Sequence, residues 1–320
     1  MKTKMKSIMS SEIAILLVLI LLCIVAAVVT PVFATSKNIM SVLQRTATTG
    51  IVAIGMTFVI GTGGIDLSVG GQVTIIGIVA ALMFGKGMPM GAILALMIVM
   101  GIAMGLINGV LISYLKIVPI MVTLAMQLIT FGISLYITEG RQFQIKEDAF
   151  RFFGLGKIIG IPTPIWIFAV VAVIAMLLLK KFTIGRKILA VGSNSKGAWY
   201  AGINVRKVTI IAYIITGISA AISSMIMTSK LMSASATVGD GMEMDAIAAV
   251  VIGGTSMEGG NGYIIGTVAG ALIITVITNW MTLQDINPYL RDVVKGLIII
   301  IALLIDNIRR GKLKKNDMAG

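Results

Sequence analysis

The sequence predicts an all-α polytopic membrane protein, a single transmembrane domain over residues 1–320 with about ten membrane-spanning helices, some of them broken at glycine-rich segments. Hydrophobic residues make up 58% of the chain and charged residues only 12%, a composition that excludes an ordinary soluble domain. The nearly continuous apolar runs 13–33 and 161–179 have the length of a membrane-spanning helix. They lack the alternation of apolar and polar residues that strands of a membrane β-barrel require.

The candidate spans follow from the apolar runs in chain order. They are 13–33, 46–60, 71–84, 91–112, 118–138, 161–179, 208–228, 244–257, 262–281 and 292–308. The first follows a lysine-rich start, as the core of a signal peptide would, but it is longer than such a core and we expect it to be retained. Spans 46–60, 71–84 and 244–257 are short, which favours helices that stop part-way at a glycine-rich break.

The basic residues predict the orientation of the chain. An even number of spans places both ends on one side of the membrane, and basic residues cluster at the N-terminus, in the loop 180–207 and at the C-terminus. Since cytoplasmic segments carry an excess of Lys and Arg, both termini are predicted to be cytoplasmic and the protein to reside in the cell membrane. Topology therefore accounts for the net charge of +13, and no nucleic-acid partner is expected.

Residues that build metal, disulfide and ATP sites are sparse. The chain has no histidine and one cysteine, Cys23 in the first apolar run, so neither a metal cluster nor an internal disulfide is expected. It has no GxxxxGK[ST] phosphate-binding loop, because GLGK at 154–157 lacks both the spacing and the following hydroxyl. We therefore expect no catalytic residues, no cofactor and no ATP hydrolysis by this chain.

Glycines recur at helical spacing within two predicted spans. Gly101, Gly105 and Gly109 lie four residues apart, and Gly266 and Gly270 repeat that spacing. Such stripes let helix backbones approach closely. Packing is sufficient to explain them.

The largest outer connection is predicted over 139–160. It combines mixed charges with phenylalanines at 143, 150, 152 and 153. This composition favours an amphipathic connector with an aromatic belt at the membrane interface. A surface that touches an external partner is the alternative.

A polar, glycine-rich stretch, GTGGIDLSVGG at 61–71, separates the second candidate span from the third. Its candidates for translocation or gating are Gly63, Gly64, Asp66 and Ser68. Glycine lets the backbone turn sharply or lets another helix come close. A charge inside the membrane is costly, so Asp66 should face protein donors or water rather than lipid. Such a break is tolerated only where it is buried in protein or lines an aqueous path.

A second stretch of the same kind, GGTSMEGGNG at 253–262, adds Thr255, Ser256, Glu258 and Asn261 as candidates. In the predicted topology both breaks join an inward-running span to an outward-running one, which places them together in the cytoplasmic half of one pathway. A parallel internal repeat is one explanation of their likeness. For each acid two roles stay open: helix capping or bundle stabilisation, and direct participation in gating or substrate passage.

The loop 180–207 is the longest hydrophilic segment predicted on the inner side. Within it, residues 195–200 favour a short helix with Asn194 or Ser193 as its N-cap and Gly202 as its stop. Trp199 and Tyr200 would then lie outside the bilayer. They would contact either a partner protein or the lipid headgroup layer.

Taken together, these stretches resemble the permease subunits of ATP-binding-cassette importers for simple sugars, the family of the ribose, xylose, arabinose and galactose permeases. The resemblance covers most of the chain, and it is carried by four motifs in a fixed order. They are GGIDLSVG at 63–70, NGVLISYLKIVPIMVTL at 108–124, GRKILAVGSN with AGINV at 185–205, and VIGGTSMEGGNGYIIGTVAGALI at 251–273.

The resemblance implies a function and a set of partners. A monosaccharide-like solute would be delivered by an extracytoplasmic solute-binding protein and would pass inward by alternating access, driven by cytoplasmic ATP-binding subunits. The pore would be a pair of permease chains, expected to be a homodimer, surrounded by membrane lipid. The stretch 192–202 would be the coupling helix that docks into the ATP-binding subunit. Its candidate residues are Gly192, Asn194, Ala198, Trp199, Tyr200 and Gly202.

Two other classes of protein fit parts of the sequence. An ion-coupled secondary transporter also uses broken helices and buried acids, but acids within the predicted bundle are few and the inner loop is suited to docking. A non-transporting membrane scaffold explains the helices but not two polar glycine-rich breaks. Gradient-driven transport without any ATPase would favour the secondary transporter.

Overall fold

A computed structural model describes the backbone of residues 2–318 and the side chains of 15–304 and 306–308. Within that range the helices are α1 Lys2–Val29, α2 Ser36–Gly61, α3 Val69–Gly85, α4 Met90–Ser113, α5 Pro119–Thr138, α6 Phe152–Leu155, α7 Thr163–Lys180, α8 Thr183–Ser193, α9 Ser195–Tyr200, α10 Val205–Leu231, α11 Met242–Ile252, α12 Ile264–Leu283 and α13 Pro288–Met318. Two antiparallel pairs of two-residue strands join β1 Phe143–Gln144 to β4 Ser233–Ala234 and β2 Lys157–Ile158 to β3 Ile161–Pro162. The all-α class is confirmed.

Six of the described helices have the length and apolar composition of a membrane span: α2, α4, α5, α7, α10 and α12. The apolar part of α1, Ile15–Val29, and helix α3 are shorter. Helix α11 ends at Ile252 after 11 residues. That is about 16 Å of helix against a hydrocarbon core of about 30 Å, so 244–257 stops part-way, as predicted. The prediction of a short span at 46–60 is wrong, because α2 runs for 26 residues from Ser36 to Gly61.

The two ends of the helical bundle are distinct. We call the end that carries α8 and α9 the inner side, and the end that carries 139–162 the outer side. The terminal lysine and arginine clusters used for the orientation prediction lie outside the described side chains.

Helix α10 lies at the centre of the bundle and packs against α2, α3 and α4. The glycine stripe of α4 makes this packing possible: a Cβ added to Gly105 would lie 2.8 Å from the Cα of Ile214, and one added to Gly109 would lie 2.7 Å from the Cα of Ile210. The two backbones therefore touch with no side chain between them. The predicted packing role of this stripe is confirmed.

Helices α11 and α12 are joined in the same manner. A Cβ on Gly266 or on Gly270 would collide with the carbonyl oxygen of Gly253 or of Ala249, respectively. Helix α11 also packs against α2 and α13, so the short helix is enclosed by longer ones. The predicted packing role of the second stripe is confirmed as well.

The outer connection folds back into the bundle instead of lying flat at the interface. Phe150 is completely buried, and its ring centroid lies 4.9 Å from that of Phe84 on α3. The Ser229 hydroxyl of α10 donates to the Phe150 carbonyl at 2.6 Å and accepts from the Gly154 N–H at 2.7 Å. The prediction of an interfacial aromatic belt is therefore wrong for Phe150, which belongs to the core, whereas Phe152 is exposed.

Candidate functional site

The first glycine-rich break separates α2, which ends at Gly61, from α3, which begins at Val69. Asp66 in this break is completely buried. Its Oδ1 accepts a hydrogen bond from the Ser68 backbone N–H at 3.0 Å and another from the Ser68 hydroxyl. The carboxylate thus binds the backbone at the start of α3, where it also complements the positive end of the helix dipole.

Ser68 connects this carboxylate to two neighbouring helices. Its Oγ accepts from Gln72 Nε2 of α3 at 2.8 Å and from Asn108 Nδ2 of α4 at 2.9 Å, and all these side chains are completely buried. The Tyr213 hydroxyl of α10 donates to the Ile65 carbonyl at 3.1 Å. We call Asp66, Ser68, Gln72 and Asn108 the polar cluster. The sequence analysis did not single out Gln72 and Asn108 as site residues, because each is one of very few polar residues in an otherwise apolar helix.

The second break, between α11 and α12, is held by shorter-range contacts. Thr255 Oγ1 accepts from the Tyr263 N–H at 3.2 Å, and Ser256 Oγ accepts from the Glu258 N–H at 3.4 Å. Both hydroxyl residues are buried, whereas Glu258 and Asn261 are exposed. Glycines 254, 259 and 260 adopt φ of 85°, 86° and 78°, which a residue with a side chain rarely does.

The two breaks meet each other at the inner side, together with the end of α8. The Gly260 N–H donates to the Gly61 carbonyl at 3.1 Å. A Cβ on Gly192 would lie 2.5 Å from Gly260 N, and one on Gly259 would lie 2.6 Å from Gly63 N. We call these five glycines the glycine junction. The predicted approach of the breaks is confirmed, and the inner loop joins them at the same place.

The short helix predicted in the inner loop is present as α9. The Asn194 side chain caps it by accepting from the Gly197 N–H at 2.8 Å, and the Gly202 N–H closes it on the Trp199 carbonyl at 2.9 Å. Ala198 is buried in the bundle. Trp199 and Tyr200 point outward with 64% and 80% of their surface exposed. The helix is therefore anchored on one face and offers two aromatic rings on the other.

A further feature, a non-helical segment that enters the bundle from the outer side, has no counterpart in the sequence prediction. The chain between β4 and α11, residues 235–241, is not helical, and its Gly239 N–H donates to Thr74 Oγ1 of α3 at 3.0 Å. Gln127 Nε2 of α5 donates to Glu243 Oε1 at 2.9 Å. In addition, Lys295 of α13 pairs with Asp245 of α11 at 3.0 Å. Local composition gave no signal for these contacts, because each joins residues far apart in the chain.

Comparison with known proteins identifies the family. A family model described as the permease component of branched-chain amino acid transport systems matches residues 38–303. No solved structure matches the chain.

Three relatives align along nearly the whole chain. The ribose import permease protein of Bacillus subtilis is 41% identical over 290 residues, which cover 90% of each chain. The L-arabinose transport system permease protein of Escherichia coli is 36% identical over 295 residues, 92% of this chain and 90% of the relative. A probable ABC transporter permease protein of Escherichia coli is 35% identical over 294 residues, 92% of this chain and 89% of the relative.

These matches confirm the resemblance seen in the four motifs and give no support to the ion-coupled alternative. They also place ATP hydrolysis in separate subunits, as expected for a permease component. The chain therefore belongs to the family of permease components of ATP-binding-cassette importers.

Proposed function

We propose that this chain carries a monosaccharide-like solute inward, as the permease subunit of a simple-sugar importer in the cell membrane. The relatives named for ribose and L-arabinose supply the substrate class. The observation that carries the mechanism is the glycine junction, where the end of α8, which leads directly into α9, touches both breaks. Helix α9 is thereby connected to both breaks through one contact.

Helix α9 is the proposed contact with a cytoplasmic ATP-binding subunit. Trp199 and Tyr200 have ring centroids 5.0 Å apart in an edge-to-face pair, a preorganised aromatic surface of the kind that dominates protein interfaces. Four residues hold that surface in place. Gly192 lies in the glycine junction, Asn194 caps the helix, Ala198 is on its buried face, and Gly202 ends it. The same assignment makes the inner side cytoplasmic.

The break residues are proposed to set the gate and not to bind solute. Asp66 and Ser68 are enclosed, so they act by positioning the start of α3, while Gly63 and Gly64 give that turn its room. Thr255 and Ser256 fold the second break locally, and the exposed Glu258 and Asn261 lie beside the junction. An inward-directed gate opens when the two breaks separate.

The complete transporter is proposed to contain two copies of this chain, two ATP-binding subunits and an outer solute-binding protein. Helices α5 and α13 each leave an apolar face uncovered, with Leu128 and Tyr136 on α5 and Tyr289 and Leu297 on α13 more than half exposed. These faces meet lipid or the second permease. The proposed arrangement has ten membrane-embedded helices, with α3 and α11 stopping part-way, and its even number leaves both termini on the cytoplasmic side.

The test is to purify the chain with candidate ATP-binding subunits in nanodiscs and to measure ATPase activity with a panel of liganded sugar-binding proteins. Stimulation by one liganded binding protein supports the importer and names its solute. Trp199→Ala should lower that stimulation about tenfold or more, because an interface aromatic is removed. Phe182→Ala, an exposed aromatic on the same side ahead of α8, is the control. Gradient-driven uptake by the chain alone would contradict the proposal.

A further inference from the structure

The non-helical segment 235–241 reaches deep into the bundle from the outer side. Gly239 packs directly on Gly70, since a Cβ on either glycine would collide with the backbone of the other. Gly70 precedes Gly85, the outer end of α3, by 15 residues. At 1.5 Å per residue the segment descends about 22 Å below that end, well into the membrane.

The segment is buried on one side only. Ala236 and Gly239 are buried against the bundle, whereas Thr237, Asp240 and Met244 are exposed. Non-helical backbone at membrane depth occurs where it lines protein or a water-filled cavity, and a carboxylate facing lipid would be costly. With lipid excluded, the exposed side of this segment faces either water that enters from the outer side or the second permease chain across the pathway.

A second carboxylate lies behind the segment and is incompletely bonded. Glu243 is only 6% exposed, and Gln127 of α5 donates to its Oε1 at 2.9 Å. Its Oε2 has no hydrogen-bond partner among the described residues. Buried carboxylate oxygens nearly always accept a hydrogen bond, so Glu243, whose Oε2 lies against Gly70, keeps an unmet acceptor behind the segment.

We propose that Thr237 and Asp240, supported by Glu243 and Gln127, form the solute-contacting ledge of the outward-open pathway. The inference rests on the proposed function and adds the chemistry of the solute. Hydroxyl groups of a neutral polyhydroxylated molecule donate to the Asp240 carboxylate and exchange hydrogen bonds with the Thr237 hydroxyl. Two neighbouring carboxylates repel anions, so phosphorylated and carboxylated sugars are excluded.

Thiol accessibility tests the ledge without knowledge of the sugar. In a Cys23→Ala background, Thr237→Cys and Asp240→Cys should react with a membrane-impermeant thiol reagent added from the outer side of the assembled importer. Ala236→Cys, one residue away and 7% exposed, is the matched control and should stay unreactive. The transported sugar, delivered by its binding protein, should slow the labelling of Thr237→Cys, and labelling should stop uptake.

Uptake measurements test the solute contact. Asp240→Asn should raise the sugar concentration at half-maximal uptake about tenfold, the effect of weakening a hydrogen bond to a charged acceptor. Asp148→Asn, an exposed acid of the outer connection, should not change it. Uptake by Asp240→Asn equal to that of the parent chain would overturn the contact.

Separate results would overturn the solute-contacting ledge and the proposed importer function. An importer that transports sugar while Thr237→Cys stays unreactive would overturn the ledge and leave the proposed function standing. A parent complex that transports no sugar would overturn the proposed function and the solute class together, and labelling at Thr237→Cys would still decide whether the segment faces water.

Discussion

The two glycine-rich breaks have similar sequences but different supports. The first is fixed by buried side chains from three helices, through the polar cluster and the Tyr213 hydroxyl. The second is held by hydrogen bonds within the break and by backbone contact with Gly61 and with α12. Similar composition therefore yields one anchored break and one that depends on close backbone packing.

The different supports indicate different roles for the two breaks during transport. An anchored break keeps the start of α3 in place when neighbouring helices move, because several buried hydrogen bonds would have to be lost together. A break held by backbone contacts changes when the contacting backbone moves. We therefore expect the second break to respond to α9 and the first to provide the fixed reference.

The largest effect should come from filling the glycine junction. In Gly192→Val the new Cβ collides with the Gly61 carbonyl and lies 2.5 Å from Gly260 N, and neither backbone atom can rotate away. We expect a loss of about 3 kcal/mol in stability and failure to assemble with the ATP-binding subunit. Monodisperse yield after purification measures this. Gly132→Ala, where a Cβ meets nothing within 4 Å, is the control, and equal yields would show that the junction tolerates side chains.

A matched pair of serine substitutions compares the supports directly. Ser68→Ala removes the hydroxyl that joins Asp66, Gln72 and Asn108, so three buried polar groups lose a partner. We expect a loss of about 2 kcal/mol in stability. Ser256→Ala removes one weak acceptor at 3.4 Å and should cost about 0.5 kcal/mol. Thermal unfolding in detergent measures both, and equal shifts would refute the difference between the breaks.

Helix α11 leads into the second break, and its packing can be weakened by removing its ion pair with α13. Lys295→Gln leaves the Asp245 carboxylate, 22% exposed, without its cation. We expect a loss of about 1 kcal/mol in stability, which is less than for a fully buried pair because solvent partly screens these charges. The double variant with Asp245→Asn should recover most of it. If the double variant unfolds as easily as the single one, the pair does not secure α11.

Neutralising Asp66 or Glu258 should change stability by about 1 kcal/mol or less. Asp66→Asn keeps the volume and one acceptor for the Ser68 N–H, so we expect a change within about 1 kcal/mol, with uptake reduced more than assembly because the start of α3 is less firmly fixed. Glu258→Gln acts on an exposed side chain and should change stability by about 0.5 kcal/mol or less. Uptake and unfolding are measured on the same preparations. Asp66→Asn with parental uptake would leave this acid a purely structural role.

The sequence predicted those parts of the fold that depend on local patterns. Apolar run length located most of the helices, glycine spacing identified α4 and α12 as helices that pack closely on a neighbour, and Asn194 with Gly202 located α9. The partner helices, α10 and α11, were not predicted. Contacts between distant residues had no such signal. Gln72 and Asn108 look like isolated polar residues until α3 and α4 bring them to Ser68, and 235–241 reads as an outer loop until Gly70 and Gly239 are seen to fit together.

The glycine junction also constrains how the protein is made. It unites Gly61, Gly192 and Gly260, so its last member emerges from the ribosome when most of the chain has already entered the membrane. Domains and helices synthesised early can fold at once, but a contact of such long sequence separation must wait. Helix α9 therefore reaches its final position late in biogenesis, and the docking surface proposed for the ATP-binding subunit would not be complete until most of the permease has been made.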